Sequence, residues 1–115
     1  MSPEERKALD DFVAAVRQHY GPRLVDILVF GSRARRDHHP DSDADIAVIL
    51  KDGDWEFWDE QMNLAGLAYD ILLDHGLFIQ PWPIGLTAWE APASSPKQRF
   101  IETIRRDARS LLEAA

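Results

Sequence analysis

Two short apolar runs, Ile27-Leu28-Val29-Phe30 and Ile46-Ala47-Val48-Ile49-Leu50, constrain this chain more than any other feature because of what lies between them. Each is a continuous stretch of the kind buried on both faces of a sheet. The residues joining them, Gly31 to Asp45, carry a Gly-Ser pair, three arginines (Arg33, Arg35 and Arg36) and two alternate aspartates, Asp43 and Asp45. A connection that only joined two strands would be shorter and would not need that chemistry. The stretch therefore reads as a site set between two strands of a buried sheet.

The rest of the chain supplies the cover. Ser2, Pro3 and Glu5 form an S-x-x-E capping box with proline at the first helical position; Leu9, Phe12, Val13, Val16 and Tyr20 follow at helical spacing, and Gly21-Pro22 stops the helix. A first strand over Leu24 to Phe30 leads into a short helical turn, Ser32 to Arg36, and a loop through His38-His39-Pro40. The second strand runs from Asp43 to Leu50. Asp52-Gly53-Asp54 reads as a turn and cap for a helix from Trp55 to Asp74. Trp55, Trp58, Met62, Ala65, Tyr69 and Leu72 form one stripe of it, and Phe57, Leu64, Leu67, Ala68 and Ile71 a second. That apolar arc is wider than a helix lying on a small sheet needs.

Gly76 ends this helix. Leu77 to Ile84 reads as a third strand, which Pro81 and Pro83 place at a sheet edge or leave irregular after Gln80. After a turn around Thr87 to Glu90, Ser95 caps a last helix with Pro96 first and Gln98 closing a second box; its stripe is Phe100, Ile101, Ile104, Ala108, Leu111 and Leu112. The order predicts an α/β (α+β) fold, a small mixed β-sheet covered by helices, in one domain over residues 1–115.

Composition narrows the function. The chain has no cysteine, so a metal here would be held by oxygen or imidazole. A net charge of −7 argues against direct nucleic-acid binding. No apolar stretch approaches membrane-spanning length and the polar start is unlike a signal peptide, so the expected address is cytoplasmic, with no membrane partner. Charge is unevenly spread: residues 52–74 hold seven acids and no Lys or Arg, whereas Lys97, Arg99, Arg105, Arg106 and Arg109 lie near the end.

Gly31 and Ser32 follow a buried strand and open a helical turn, where unpaired N–H groups attract a phosphate; a plain serine-capped turn is the other reading. Asp43 and Asp45 project from one face of a strand start, as a Mg²⁺ pair or as a solvated pair. His38-His39 is read as surface loop, since adjacent histidines do not converge readily on one ion. Together the first two signals place a phosphate cradle and a metal pair across one cleft.

Gly31-Ser32, ten intervening residues and Asp43-Ala44-Asp45 match the G-S-x10-D-x-D signature of the DNA polymerase β nucleotidyltransferase superfamily. With its short length, Phe30-Gly31-Ser32-Arg33-Ala34-Arg35 and Ser42-Asp43-Ala44-Asp45, the chain resembles a minimal nucleotidyltransferase, a kind that often acts as antitoxin beside a helical HEPN ribonuclease toxin. The resemblance covers residues 24 to 85 well and the terminal helices loosely. It implies a polymerase-β-like nucleotidyltransferase fold, with Gly31 and Ser32 holding the β- and γ-phosphates of ATP or another NTP. Asp43 and Asp45 would be the catalytic pair and bind Mg²⁺, an acceptor hydroxyl would attack the α-phosphate, and pyrophosphate would leave. Arg33 and Arg35 are candidate phosphate contacts, or belong to a solvated loop or ion pairs with Asp37 or Asp41.

Two departures stand out. Active members carry a third carboxylate on a later strand, where this chain offers Gln80; Glu90 is an acid nearby in sequence. Arg36 stands where related sequences have glycine. Two functions follow: transfer of a nucleotidyl group, AMP from ATP, to a hydroxyl of a HEPN-type partner, or a degenerate module that neutralises a partner by contact alone. For either, the acidic helix 55–74 is the candidate interface, or else it lies on the sheet with a solvated acidic face. The weakest reading has the basic last helix contacting RNA.

Overall fold

Ser2 caps α1 (Pro3–Tyr20), its hydroxyl accepting a hydrogen bond from the Glu5 N–H at 3.1 Å, and Gly21 at φ 54° ends the helix in a 3₁₀ turn, Gly21–Arg23. The computed structural model describes residues 2–35 and 43–112. Arg36 through Ser42, and with them the expectations for Arg36, Asp37, His38-His39 and Asp41, lie outside the described residues.

β1 (Leu24–Phe30) enters α2 (Ser32–Arg35), and β2 (Ala44–Leu50) returns antiparallel to β1. α3 (Phe57–His75) crosses over to β3 (Ile79–Gly85), which lies parallel to β2. α4 (Leu86–Glu90), a 3₁₀ turn Pro92–Ser94, α5 (Gln98–Asp107) and β4 (Arg109–Ser110) complete the fold. The four-stranded mixed sheet has the order β3-β2-β1-β4.

Strand alternation sorts the core into two layers. Ile27 and Val29 with Ile46, Val48 and Leu50 pack against Leu9, Phe12 and Val16 of α1 and Leu64, Ala68 and Ile71 of α3. Leu28 and Phe30 with Ala47, Ile49 and Ile84 face Ile101 and Ile104 of α5 on the opposite side. No helix among the described residues is long and apolar enough to cross a membrane.

Two helices differ from the sequence expectations, and β3 takes one of the two readings left open for it. α3 starts at Phe57 rather than after an Asp54 cap, because the Trp55 indole N–H turns back to the Lys51 carbonyl at 2.9 Å. β3 is the edge strand that its prolines allow, and it stays regular through both. In a parallel edge strand alternate residues point their backbone groups away from the partner, and Pro81 and Pro83 occupy those outward positions, where the Pro81 carbonyl accepts from the Gln61 amide at 2.9 Å.

The last helix is shorter than its apolar periodicity. Ser95 makes a local turn with the Lys97 N–H, α5 begins at Gln98, and it stops at Asp107. The chain then joins the free edge of β1 as β4: the Ser110 hydroxyl donates to Asp26 at 2.7 Å and the Leu111 N–H to the Ile27 carbonyl at 2.7 Å. Leu111 and Leu112 thereby pack with the α1/α3 layer rather than extending the α5 stripe.

α3 carries the wide apolar arc the sequence predicts. Leu64, Ala68 and Ile71 are buried, while Trp58, Met62 and Tyr69 are 73%, 68% and 58% exposed, with Leu73 and Phe78 continuing the open surface. One stripe therefore lies on the sheet and the other is uncovered.

Candidate active site

Phe30, Asp45 and Gln80 lie side by side across β1, β2 and β3, because Phe30 pairs with Asp45 and Asp45 with Gln80. This row marks the end of the sheet at which β1 leaves and β2 and β3 begin. Gly31 takes the next position at φ 75°, in the left-handed region that favours glycine. A Cβ on Gly31 would stand 2.9 Å from Asp45 Oδ2. The Gly-Ser turn is thus held directly against the carboxylate of the second motif, and only a residue without a side chain fits between them.

Ser32 opens α2, with the Arg35 N–H bonded to the Gly31 carbonyl at 3.1 Å. Asp43 is exposed just before β2, and Asp45 is half-buried on the same strand face. Burial pushes the Asp45 carboxyl above the usual aspartate range, the Asp43 charge pushes it further, and the Arg33 guanidinium offsets part of this. Such crowding of two acids is relieved by a cation. Among the described residues no cluster of three or more His, Cys, Asp or Glu could hold a metal. The donor set of Asp43 and Asp45 fits Mg²⁺, which takes one or two carboxylates and completes its shell with phosphate oxygens and water.

The arginines of the motif are placed differently from one another. The Arg33 side chain is fully buried and ion-paired with Glu5 of α1, so it stands behind the site as a fixed positive charge. Arg35 lies at the surface, 2.9 Å from the Asp107 carboxylate at the end of α5. Sequence reasoning assigned Glu5 to the capping box and did not foresee its part in holding α2 to α1.

Gln80 lies beside Asp45 on the same strand face, where the resemblance implies a third acid. Glu90 does not reach it. From Gln80 the strand runs to Gly85, roughly 17 Å at 3.3 Å per residue, and the five residues of α4 rise only about 1.5 Å each. Glu90 therefore lies beyond the opposite end of β3, and the third position of the row is an amide.

The family described as Polymerase beta, Nucleotidyltransferase matches residues 15–80, more than half of the chain and all of the motif. A putative protein adenylyltransferase of Methanocaldococcus jannaschii is 36% identical over 75 residues, covering 65% of this chain and 68% of that protein. Among solved structures, a putative nucleotidyltransferase from Sulfolobus solfataricus superposes with a TM-score of 0.60 at 19% identity, over 91% of this chain and 77% of that one. A chain of a toxin-antitoxin complex with AMP-PNP gives 0.57 at 17% identity, over 96% and 73%. The two structural likenesses concern the fold, and the sequence match carries the assignment: this chain belongs to the polymerase beta nucleotidyltransferase family.

Proposed function

We propose that this protein transfers a nucleotidyl group, AMP from ATP, to a hydroxyl of a partner protein, and that the partner is a helical HEPN-type toxin which the modification silences. The observation that carries the reading is the close approach of the Gly31 backbone to the Asp45 carboxylate, which brings the turn that would cradle phosphate to the strand that would hold the metal. The M. jannaschii relative, a putative protein adenylyltransferase, supports a protein as acceptor, and the toxin-antitoxin complex supports a toxin as partner.

In this reading the Gly31 backbone and the Ser32 hydroxyl hold the β- and γ-phosphates. Asp43 and Asp45 hold Mg²⁺, which when bound supplies positive charge against the phosphate oxygens. Arg33, fixed by Glu5, keeps a positive charge behind Asp45 and helps it stay ionised. Gln80 lies beside Asp45 at the reacting end of the sheet, where an amide can hydrogen-bond but cannot take a proton. The exposed stripe of α3, rimmed by Asp59, Asp70 and Asp74, suits a helical partner with an apolar face and a basic rim.

Incubation with Mg²⁺, labelled ATP and the product of the neighbouring gene tests the proposal. Label should pass to the partner and be lost in Asp43→Ala and Asp45→Ala; no transfer by the wild type, with both variants alike, would overturn it. Gln80 favours a second reading, in which the fold binds and neutralises its partner without chemistry. Gln80→Asp separates the two: a gain in transfer assigns that position to catalysis, whereas neutralisation by an inert wild type assigns the protein to contact alone.

A further inference from the structure

The sheet face that carries Asp45 and Gln80 continues into a slot of about 320 Å³ at the β3 edge. Trp82, one pleat beyond Gln80 on the same face, forms its floor. Phe100 of α5 closes one side, the segment leading into α3 brings Trp55 and Phe57 round the other, and Lys97 stands at the rim. The aromatic contacts here are edge-on, with Trp82 and Phe100 centroids 5.1 Å apart at 68° and Phe30 and Phe100 6.3 Å apart at 82°, so neither pair is stacked in parallel. The Lys97 ammonium sits 3.5 Å from the Phe57 ring centroid, and its desolvation there lowers its pKa. A planar ligand with ring nitrogens would offer that ammonium an acceptor.

We infer that this slot receives the nucleobase of the nucleotide, with Trp82 as stacking surface and Phe57 and Lys97 at its mouth. The inference rests on the proposed nucleotide site and deepens it. If phosphates lie at the Gly31-Ser32 turn on β1 and the metal at Asp43 and Asp45 on β2, the line continues onto β3, and the nucleoside leaves the α-phosphate towards Trp82. The slot begins roughly 7 Å past Gln80, two residues of strand, which a ribose spans.

Binding of ATP and of inorganic tripolyphosphate, each with Mg²⁺, tests this by calorimetry. Trp82→Leu and Phe57→Leu should each weaken ATP about tenfold, as expected for loss of base stacking, and leave tripolyphosphate unchanged. A measurement independent of whether those variants fold uses Trp58→Phe/Trp89→Phe, which keeps only Trp55 and Trp82: its indole emission should be quenched by ATP and not by tripolyphosphate. Unquenched emission with ATP bound, or both leucine variants binding ATP as the wild type does, overturns the slot while leaving the phosphate site standing. Failure of the wild type to bind either probe overturns the slot together with the phosphate site. Leucine variants that bind ATP normally but lose the partner reassign the slot to the partner.

Discussion

Gly31 and Asp45 make the site a problem of single atoms. Gly31→Ala introduces a Cβ 2.9 Å from Asp45 Oδ2 at a φ of 75°. The backbone cost alone is about 1–2 kcal/mol, which for a domain of this size lowers the melting temperature by roughly 5–10 °C, and nucleotide transfer should be lost with it. Thermal melts and the transfer assay check both. Asp45 gives the opposite result. Its raised pKa means that the native state holds this proton to higher pH than the unfolded chain, so stability falls as pH rises from the ordinary aspartate value through the raised one. At neutral pH without divalent cations the ionised group opposes folding. Asp45→Asn should therefore melt a few degrees above the wild type at pH 7 and lose that advantage as pH falls towards 4. Added Mg²⁺ should stabilise the wild type and leave Asp45→Asn unmoved.

Elements are tied together by pairs far apart in sequence. Glu60 on α3 is buried, and burial by itself would push its carboxyl up; the Tyr20 hydroxyl beside it, Arg23 at 3.2 Å and Asn63 at 3.3 Å outweigh this and hold it below the usual range. The stability from this pair is present above the ordinary glutamate pKa and is lost as pH falls through the lowered value. Glu60→Gln should cost about 1–2 kcal/mol at pH 7, with Arg23 half-exposed and solvated, and the difference from the wild type should close in melts below about pH 4. Such pairs explain what the sequence leaves illegible. The ends of α1 and β1 are written locally, in Ser2-Pro3, Gly21-Pro22 and Phe30-Gly31. β4 is not, because Arg109-Ser110 has no alternation of its own and becomes a strand only through Asp26 and Ile27. Likewise Gly31, Ser32, Asp43 and Asp45 are legible from spacing, whereas the burial of Arg33 against Glu5 depends on where α1 packs.

At the scale of the molecule, the sheet separates two surfaces of different use. α1 and α3 cover one face, and α4 and α5 the other, with Gly31, Asp45 and Gln80 at one end between them. Trp58→Ser and Met62→Ser, both on the open stripe of α3, should leave Mg²⁺-ATP binding intact and weaken partner binding about tenfold or more, read by calorimetry against the purified partner. A loss of nucleotide binding in these variants would show that the stripe serves the site instead. The width of the apolar arc was readable from Trp58, Met62 and Tyr69; which half lies on the sheet is decided by packing against β2 and β3, which no local pattern encodes.

The placement of α3 and α5 on opposite sides of one sheet also makes the molecule an electric dipole. Asp59, Asp70 and Asp74 face outward on one side, and Arg99, Arg105 and Arg106 on the other. The basic partner proposed above would meet a field that turns the acidic side towards it before any contact forms, so its association should be fast in dilute buffer and slow steeply with added salt, while its dissociation, if set by the apolar stripe, should change little.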